Sequence, residues 1–115
     1  MRHNTFTLIL TLLFSGVSLA VPYVPRVEPL LGFFSSDKGV HLQVESGGCT
    51  SRESFDIRKR VYRKTIQITF IRVVPDNCLA LFRDGQFVSY YYDELGLKPG
   101  DRFQIINQIQ VPSAE

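Results

Sequence analysis

The side chains able to do chemistry in this chain are few and scattered. His41 is the only histidine beyond residue 3, and Cys49 and Cys78 are the only cysteines. A nucleophile needs a base within hydrogen-bond reach. The one histidine available alternates with Val40 and Leu42, on the outward face of a strand-like run, where a solvated side chain is the simpler reading. No serine stands in a Gly-x-Ser-x-Gly setting, and neither Gly-x-x-x-x-Gly-Lys nor Gly-x-Gly-x-x-Gly occurs. Asp93 and Glu94 are adjacent, so on a strand they point apart and make a poor acid–base pair. One histidine and two distant cysteines do not form a metal-ligand cluster. The expectation is a chain that is not an enzyme and takes no cofactor and no metal.

The cysteines point to another chemistry. An even count in a small exported chain predicts one disulfide, Cys49–Cys78. It closes a loop of about 30 residues, which the chain-entropy model values at roughly 3.5 kcal/mol. Gly47 and Gly48 before Cys49 suggest a tight bend that brings the sulfur to its partner. The absence of Cys-x-x-Cys argues against redox catalysis.

Two surfaces are candidates for binding. Arg58, Lys59, Arg60, Arg63 and Lys64, with Tyr62 among them, form a basic run suited to an acidic partner. Its competing role is a solvated hairpin tip that discourages edge-to-edge pairing. The second is Tyr90, Tyr91 and Tyr92 followed by Asp93 and Glu94. Alternation sets Tyr91 opposite Tyr90 and Tyr92, so one side of this run faces solvent, and exposed tyrosines supply contact area at low entropy cost. Alternatively, Tyr90 and Tyr92 fill a groove between strands.

The elements that must position these residues read as strands. Val40, Leu42 and Val44 alternate with His41, Gln43 and Glu45. Thr50-Ser51-Arg52-Glu53 matches a capping box, yet Phe55, Ile57 and Val61 share one strand face, so residues 51–59 read as strand with a short helix as the alternative. Ile66, Ile68 and Phe70 have the opposite parity, which demands a turn near Tyr62-Arg63-Lys64 and hence a hairpin. Ile71 and Val73 switch parity again, implying a bulge or two-sided burial near Phe70. Cys78 to Phe82 reads as a short apolar strand, joined through Asp84-Gly85, a type I′ signature, to a return strand from Phe87 to Tyr92. Asp93 caps one helical turn near 93–96, ended by Gly96. Phe103, Ile105, Ile109 and Val111 form the inward face of a last strand. Asn107 interrupts that face and, if buried, needs partners for its amide. The fold class expected is all-β, a small sandwich or barrel of about six strands.

Residues 1–20 read as a signal peptide: Arg2 and His3 before an apolar run, then Ser18-Leu19-Ala20 at a cleavage site. Residues 21–31, with Pro22, Pro25 and Pro29, form an extended arm, and 32–115 a single β domain. The chain is 44% hydrophobic and 21% charged, ordinary globular values. Removal of Arg2 takes the net charge from +2 to +1, too near neutral to imply nucleic acid. The functional expectation is an exported, secreted or periplasmic binding module without a membrane span after cleavage. Its partner would be another exported protein or an envelope component. Small exported β-domains with one disulfide include inhibitors of lysozymes and peptidases, an analogy of architecture. An envelope assembly component using the arm as a strand donor or tether is the alternative, and a small secreted enzyme the third.

Overall fold

The computed structural model describes residue 16 and residues 22–110. The signal-peptide reading of 1–20 and the placement of Val111 lie outside the described residues. Seven strands form two sheets. In chain order they are β1 (Arg26–Val27), β2 (Gly32–Ser35), β3 (Gly39–Val44), β4 (Phe55–Tyr62), β5 (Thr65–Arg72), β6 (Gln86–Tyr91) and β7 (Phe103–Ile105). The first sheet holds β4 and β1 on either side of β5, with β7 also on β5; the second runs β2-β3-β6. All pairings are antiparallel except the parallel pair β5–β7. The sheets face each other across one core. Val40, Leu42, Val44, Val88 and Tyr90 meet Phe55, Ile68, Phe70 and Ile105, with Leu30, Leu95 and Leu97 closing the ends. The architecture is a small all-β sandwich, one of the two expected, with seven strands among the described residues where about six were expected.

The β4–β5 hairpin forms where the parity change requires it. Tyr62 pairs with Thr65, leaving Arg63 and Lys64 as a two-residue turn with φ of 49° and 62°. Two-residue loops match the strand twist only when both residues adopt left-handed geometry. Here that geometry falls on residues with a Cβ, at a cost of about 1 kcal/mol each. The parity switch at Phe70–Ile71 is resolved by two-sided burial, not by a bulge. Register runs unbroken from Phe55↔Arg72 to Tyr62↔Thr65, and Phe70, Ile71 and Arg72 are all buried.

The second edge of β5 is shared by two short strands. β1 pairs with Ile71 and Arg72, and β7 with Ile66 to Ile68. Asn107 fills the gap between them. Its Oδ1 accepts from Phe70 N–H at 2.9 Å, and its Nδ2 donates to Phe70 O at 2.8 Å and to Glu28 O at 2.7 Å. A side-chain amide thus completes the ladder where, among the described residues, the only backbone bond to Phe70 on this edge is from Glu28 N–H to Phe70 O.

Several expectations need correction. Residues 78–82 are not a strand: they pair with no ladder, and Leu79 and Leu81 are 99% and 82% exposed. Their apolar composition does not reflect burial, because no layer of the fold lies over them. The Asp84-Gly85 signature makes a turn closed by Gly85 N–H to Phe82 O, but without a preceding strand it closes no hairpin. Only Gly85 of that pair has positive φ, so the turn is not type I′. Residues 51–59 hold both alternatives in succession, a 3₁₀ turn over Arg52–Ser54 and then β4. The turn is capped one residue later than expected, Ser51 N–H donating to Ser54 Oγ at 3.0 Å. Thr50 is unavailable because its hydroxyl donates to Asp76 and accepts from Arg72. Ile109 is 45% exposed, because β7 ends at Ile105 and only a single bridge joins Leu30 to Ile109.

Much of the proline-rich arm belongs to the sandwich. Arg26 and Val27 sit at a sheet edge, where a chain with prolines nearby can pair. Leu30 is fully buried, and Glu28 forms a buried ion pair with Arg72. Near residue 95, Leu95 N–H bonds to Tyr91 O at 3.2 Å and Gly96 (φ 67°) ends the turn where the sequence places its end. The turn opens at Tyr91, not at an Asp93 cap; Asp93 instead accepts from Glu94 N–H.

Candidate binding surfaces

The disulfide Cys49–Cys78 is present and anchors a segment that holds the most exposed leucines among the described residues, Leu79 and Leu81. Its surroundings are built around Asp76. The Asp76 Oδ2 accepts from Gly47 N–H (2.8 Å), Cys49 N–H (3.1 Å), Ser46 Oγ (3.1 Å) and Thr50 Oγ1 (2.7 Å). Its Oδ1 accepts from Cys78 N–H at 3.1 Å. Burial opposes the charge, but donors from Thr50, Gly47, Cys78 and Cys49 together hold the Asp76 carboxyl well below the usual carboxylate range. Cys49, Asp76 and Cys78 are close enough to suggest a metal site, but the sulfurs are bonded to each other and offer no thiolate. The cluster therefore acts as a clasp. It fixes the 46–50 bend against the segment entering 78–82. Gly47 is required there, since a Cβ would collide with the Cys78 carbonyl oxygen.

The clasp continues into the core. Arg72 is buried and donates from Nε and Nη2 to both Glu28 carboxylate oxygens, at 2.7 and 2.9 Å. It also donates to Thr50 Oγ1 (3.0 Å) and Glu45 O (3.2 Å), and lies 4.8 Å from the Phe55 ring centre. Hydrogen bonding to Glu28 raises the Arg72 pKa further, against the effect of burial. Glu28 and Arg72 carry no sequence signal as a pair, because they are 44 positions apart in unrelated segments.

The basic run lies where the sequence places it, along β4 and its turn. Arg58 and Arg60 share the outward face with Tyr62, opposite Thr69, Gln67 and Thr65 of β5. Arg60 and Arg63 sit 5.7 and 5.2 Å from the Tyr62 ring centre, so the tyrosine collects two guanidinium groups. Lys64 completes the exposed tip, with Val61 73% exposed beside it. Lys59 points to the other face, its ammonium group against Gly96. The arrangement can attract and orient an acidic partner.

The tyrosine run divides as alternation predicts. Tyr90 is buried in the core and donates to Arg52 O at 2.8 Å; burial pushes its pKa up to about 12. Tyr92 is half-buried and donates to Ser36 O. These two fill the groove, which corrects the expectation that Tyr90 and Tyr92 belong to a binding surface, and the exposed tyrosine is Tyr91. Asp93 accepts from Glu94 N–H, and Glu94 pairs with Arg52. The outward face of β2-β3-β6 is aromatic instead: Phe34, Phe87 and Tyr91 are all at least half exposed. His41 lies in this layer, stacked on Phe34 with ring centres 4.5 Å apart. Its Nε2 is 2.9 Å from Ser36 Oγ and its Nδ1 2.7 Å from Ser89 Oγ, beside a cleft of about 570 Å³. The sequence reading placed His41 outward but missed both serines, which the register of β3 and β6 brings to it.

Among the described residues no helix is long and apolar enough to cross a membrane. No family model matches this chain, and neither a curated protein nor a solved structure does.

Proposed function

We propose that this chain is an exported, non-catalytic binding module acting on another protein or an envelope component. The observation that supports this best is the 78–82 segment, whose leucines stand in solvent on a frame held by a disulfide and by Asp76. Among the described residues every buried side-chain polar atom has a partner, so the scaffold's own bonding is satisfied. Unused binding capacity remains in the apolar loop and the basic hairpin. A disulfide is consistent with a periplasmic or extracellular setting.

The test is capture from envelope extract by the folded domain of residues 21–115. Expected is saturable retention of a protein or envelope component, lost in Leu81→Asp. Arg58→Glu with Arg60→Glu should slow association while changing stability by less than about 0.5 kcal/mol per site. That slowing should shrink at high salt, where steering is already screened. Retention indifferent to both surface variants sinks the reading.

A second reading, a small secreted enzyme, is favoured by one observation. Ser36, His41 and Ser89 form a hydroxyl–imidazole–hydroxyl chain of the kind that activates a nucleophile. Against it, Ser36 Oγ already accepts the Lys38 and Gly39 N–H groups of its own turn. Ester or amide turnover abolished in His41→Ala would establish this reading over the first.

A further inference from the structure

We propose that residues 78–82 form a substrate-like loop that seats Leu79 in the apolar specificity pocket of an endopeptidase with a serine or cysteine nucleophile. The inference rests on the binding-module reading and names its partner class. From Pro75 to Phe82 the backbone runs without a turn or bend. The side chains alternate: Cys78 enters the disulfide and Ala80 faces Gly48, whereas Leu79 and Leu81 project into solvent. Among the described residues the Leu79 and Leu81 backbone groups make no hydrogen bonds. They are free to pair with the strand-like wall of a cleft, the general mode by which extended peptides are bound.

The anchoring is what distinguishes this segment from an exposed loop that would be cut. Cys78 is fixed by its disulfide and by Asp76, and Ala80 by its N–H to Gly47 O at 2.9 Å. The residues on both sides of Leu79 are therefore tied independently to the same 46–50 bend. In the chemical step the nucleophile bonds to the Leu79 carbonyl carbon and the Leu79–Ala80 C–N bond breaks. The nucleophile's proton passes to the Ala80 nitrogen. In a free peptide that amine diffuses away. Here it stays at Gly47 while the acyl side is held by Cys78. It reattacks the acyl carbon, restores the peptide bond and returns the proton and the free nucleophile. A frame that prevents departure favours the intact complex, and a loop tethered at Cys78 and Ala80 has less entropy to lose on binding.

Inhibition constants of the folded domain against chymotrypsin, elastase, trypsin and papain test the proposal. Expected is inhibition of at least one enzyme that accepts an apolar residue, with Leu79 protected from cleavage. Leu79→Gly should weaken that inhibition by about 10–100-fold, the value of burying a leucine side chain. Leu79→Arg should move inhibition toward trypsin. Leu79 is fully exposed, so both variants keep the core, which near-ultraviolet circular dichroism can verify. Inhibition of none of the four enzymes overturns the proposal. So does rapid cleavage of the oxidised wild type after Leu79, or inhibition unchanged in both variants. Partner capture that survives Leu79→Arg but fails in Leu81→Asp would end this inference and leave the binding-module reading standing.

Discussion

Replacing Asn107 by leucine tests the most local claim about how this sandwich closes. Asn107 is 5% exposed, and its partners Phe70 and Glu28 are 0% and 2% exposed, so water cannot take over its hydrogen bonds. The variant keeps the side chain's approximate volume and removes its amide. Phe70 O still accepts from Glu28 N–H at 3.1 Å, but Phe70 N–H and Glu28 O are left without partners. Each unsatisfied buried group costs about 1–3 kcal/mol, so the expected loss is about 4 kcal/mol. For a domain of this size that lowers Tm by on the order of 20 °C. Urea unfolding should show a lower midpoint at constant slope, and exchange of the Phe70 amide should accelerate. Asn107→Asp separates bonding from shape. Its ionised carboxylate has no donor for the two carbonyls, so it should be worst at neutral pH and partly recover in acid, when protonation returns one donor. A loss below about 1 kcal/mol in Asn107→Leu would refute the bridging role.

Three other perturbations follow from the same geometry. Glu28→Gln leaves the Arg72 charge buried without its counterion and should destabilise by about 3–5 kcal/mol; Glu28→Leu with Arg72→Met should lose less, by chemical denaturation. The folded pKa of Asp76 lies below its ordinary value of 3.8, so its contribution is complete above that pH and is lost as pH falls through the lower folded value. Asp76→Asn should therefore be less stable than wild type at neutral pH, with the difference narrowing below pH 3.8 in a pH series of melting curves. Arg63→Asn with Lys64→Gly replaces two strained left-handed residues by types that accept positive φ, and should stabilise by about 1–2 kcal/mol in thermal melts.

The sheets were legible because alternation is a local signal. Val40-Leu42-Val44 and the parity change between Val61 and Ile66 place β3 and the β4–β5 hairpin, while the registers come from the structure. The disulfide was legible from cysteine count and setting. Where apolar composition and burial part company, the reading failed. Residues 78–82 look like a strand because leucine and phenylalanine are read as buried, yet here they are displayed. Asp84-Gly85 is a turn signal whose meaning depends on a strand before it, which is missing. The clasp was invisible for a different reason. Four of the five Asp76 partners lie 26 to 30 positions away, and one carboxylate after a proline carries no pattern that announces them. The serines beside His41 were missed because only the strand pairing brings Ser89 across from it.

The same contacts bear on whether the arm could serve as a strand donor between molecules. Transfer of residues 26–30 to a neighbour would withdraw fully buried Leu30 from the core. It would also take Glu28 from Arg72 and its backbone carbonyl from Asn107. The loss would not stay at that edge. Arg72 also donates to Thr50, and Thr50 donates to Asp76, which holds Gly47, Cys49 and Cys78. An unbroken series of direct bonds thus joins the arm to the loop that displays Leu79. A donated arm would strand a buried guanidinium, at about 3–5 kcal/mol, and would loosen the frame on which the proposed binding loop depends. Over the eight residues of β5 the basic tip lies roughly 25 Å from this frame. Charge reversal there can slow encounter without disturbing the loop, whereas displacement of the arm would disturb the loop while leaving the charges in place. Arm assembly and loop binding therefore compete for the same buried contacts, and the geometry favours the arm that stays with its own domain.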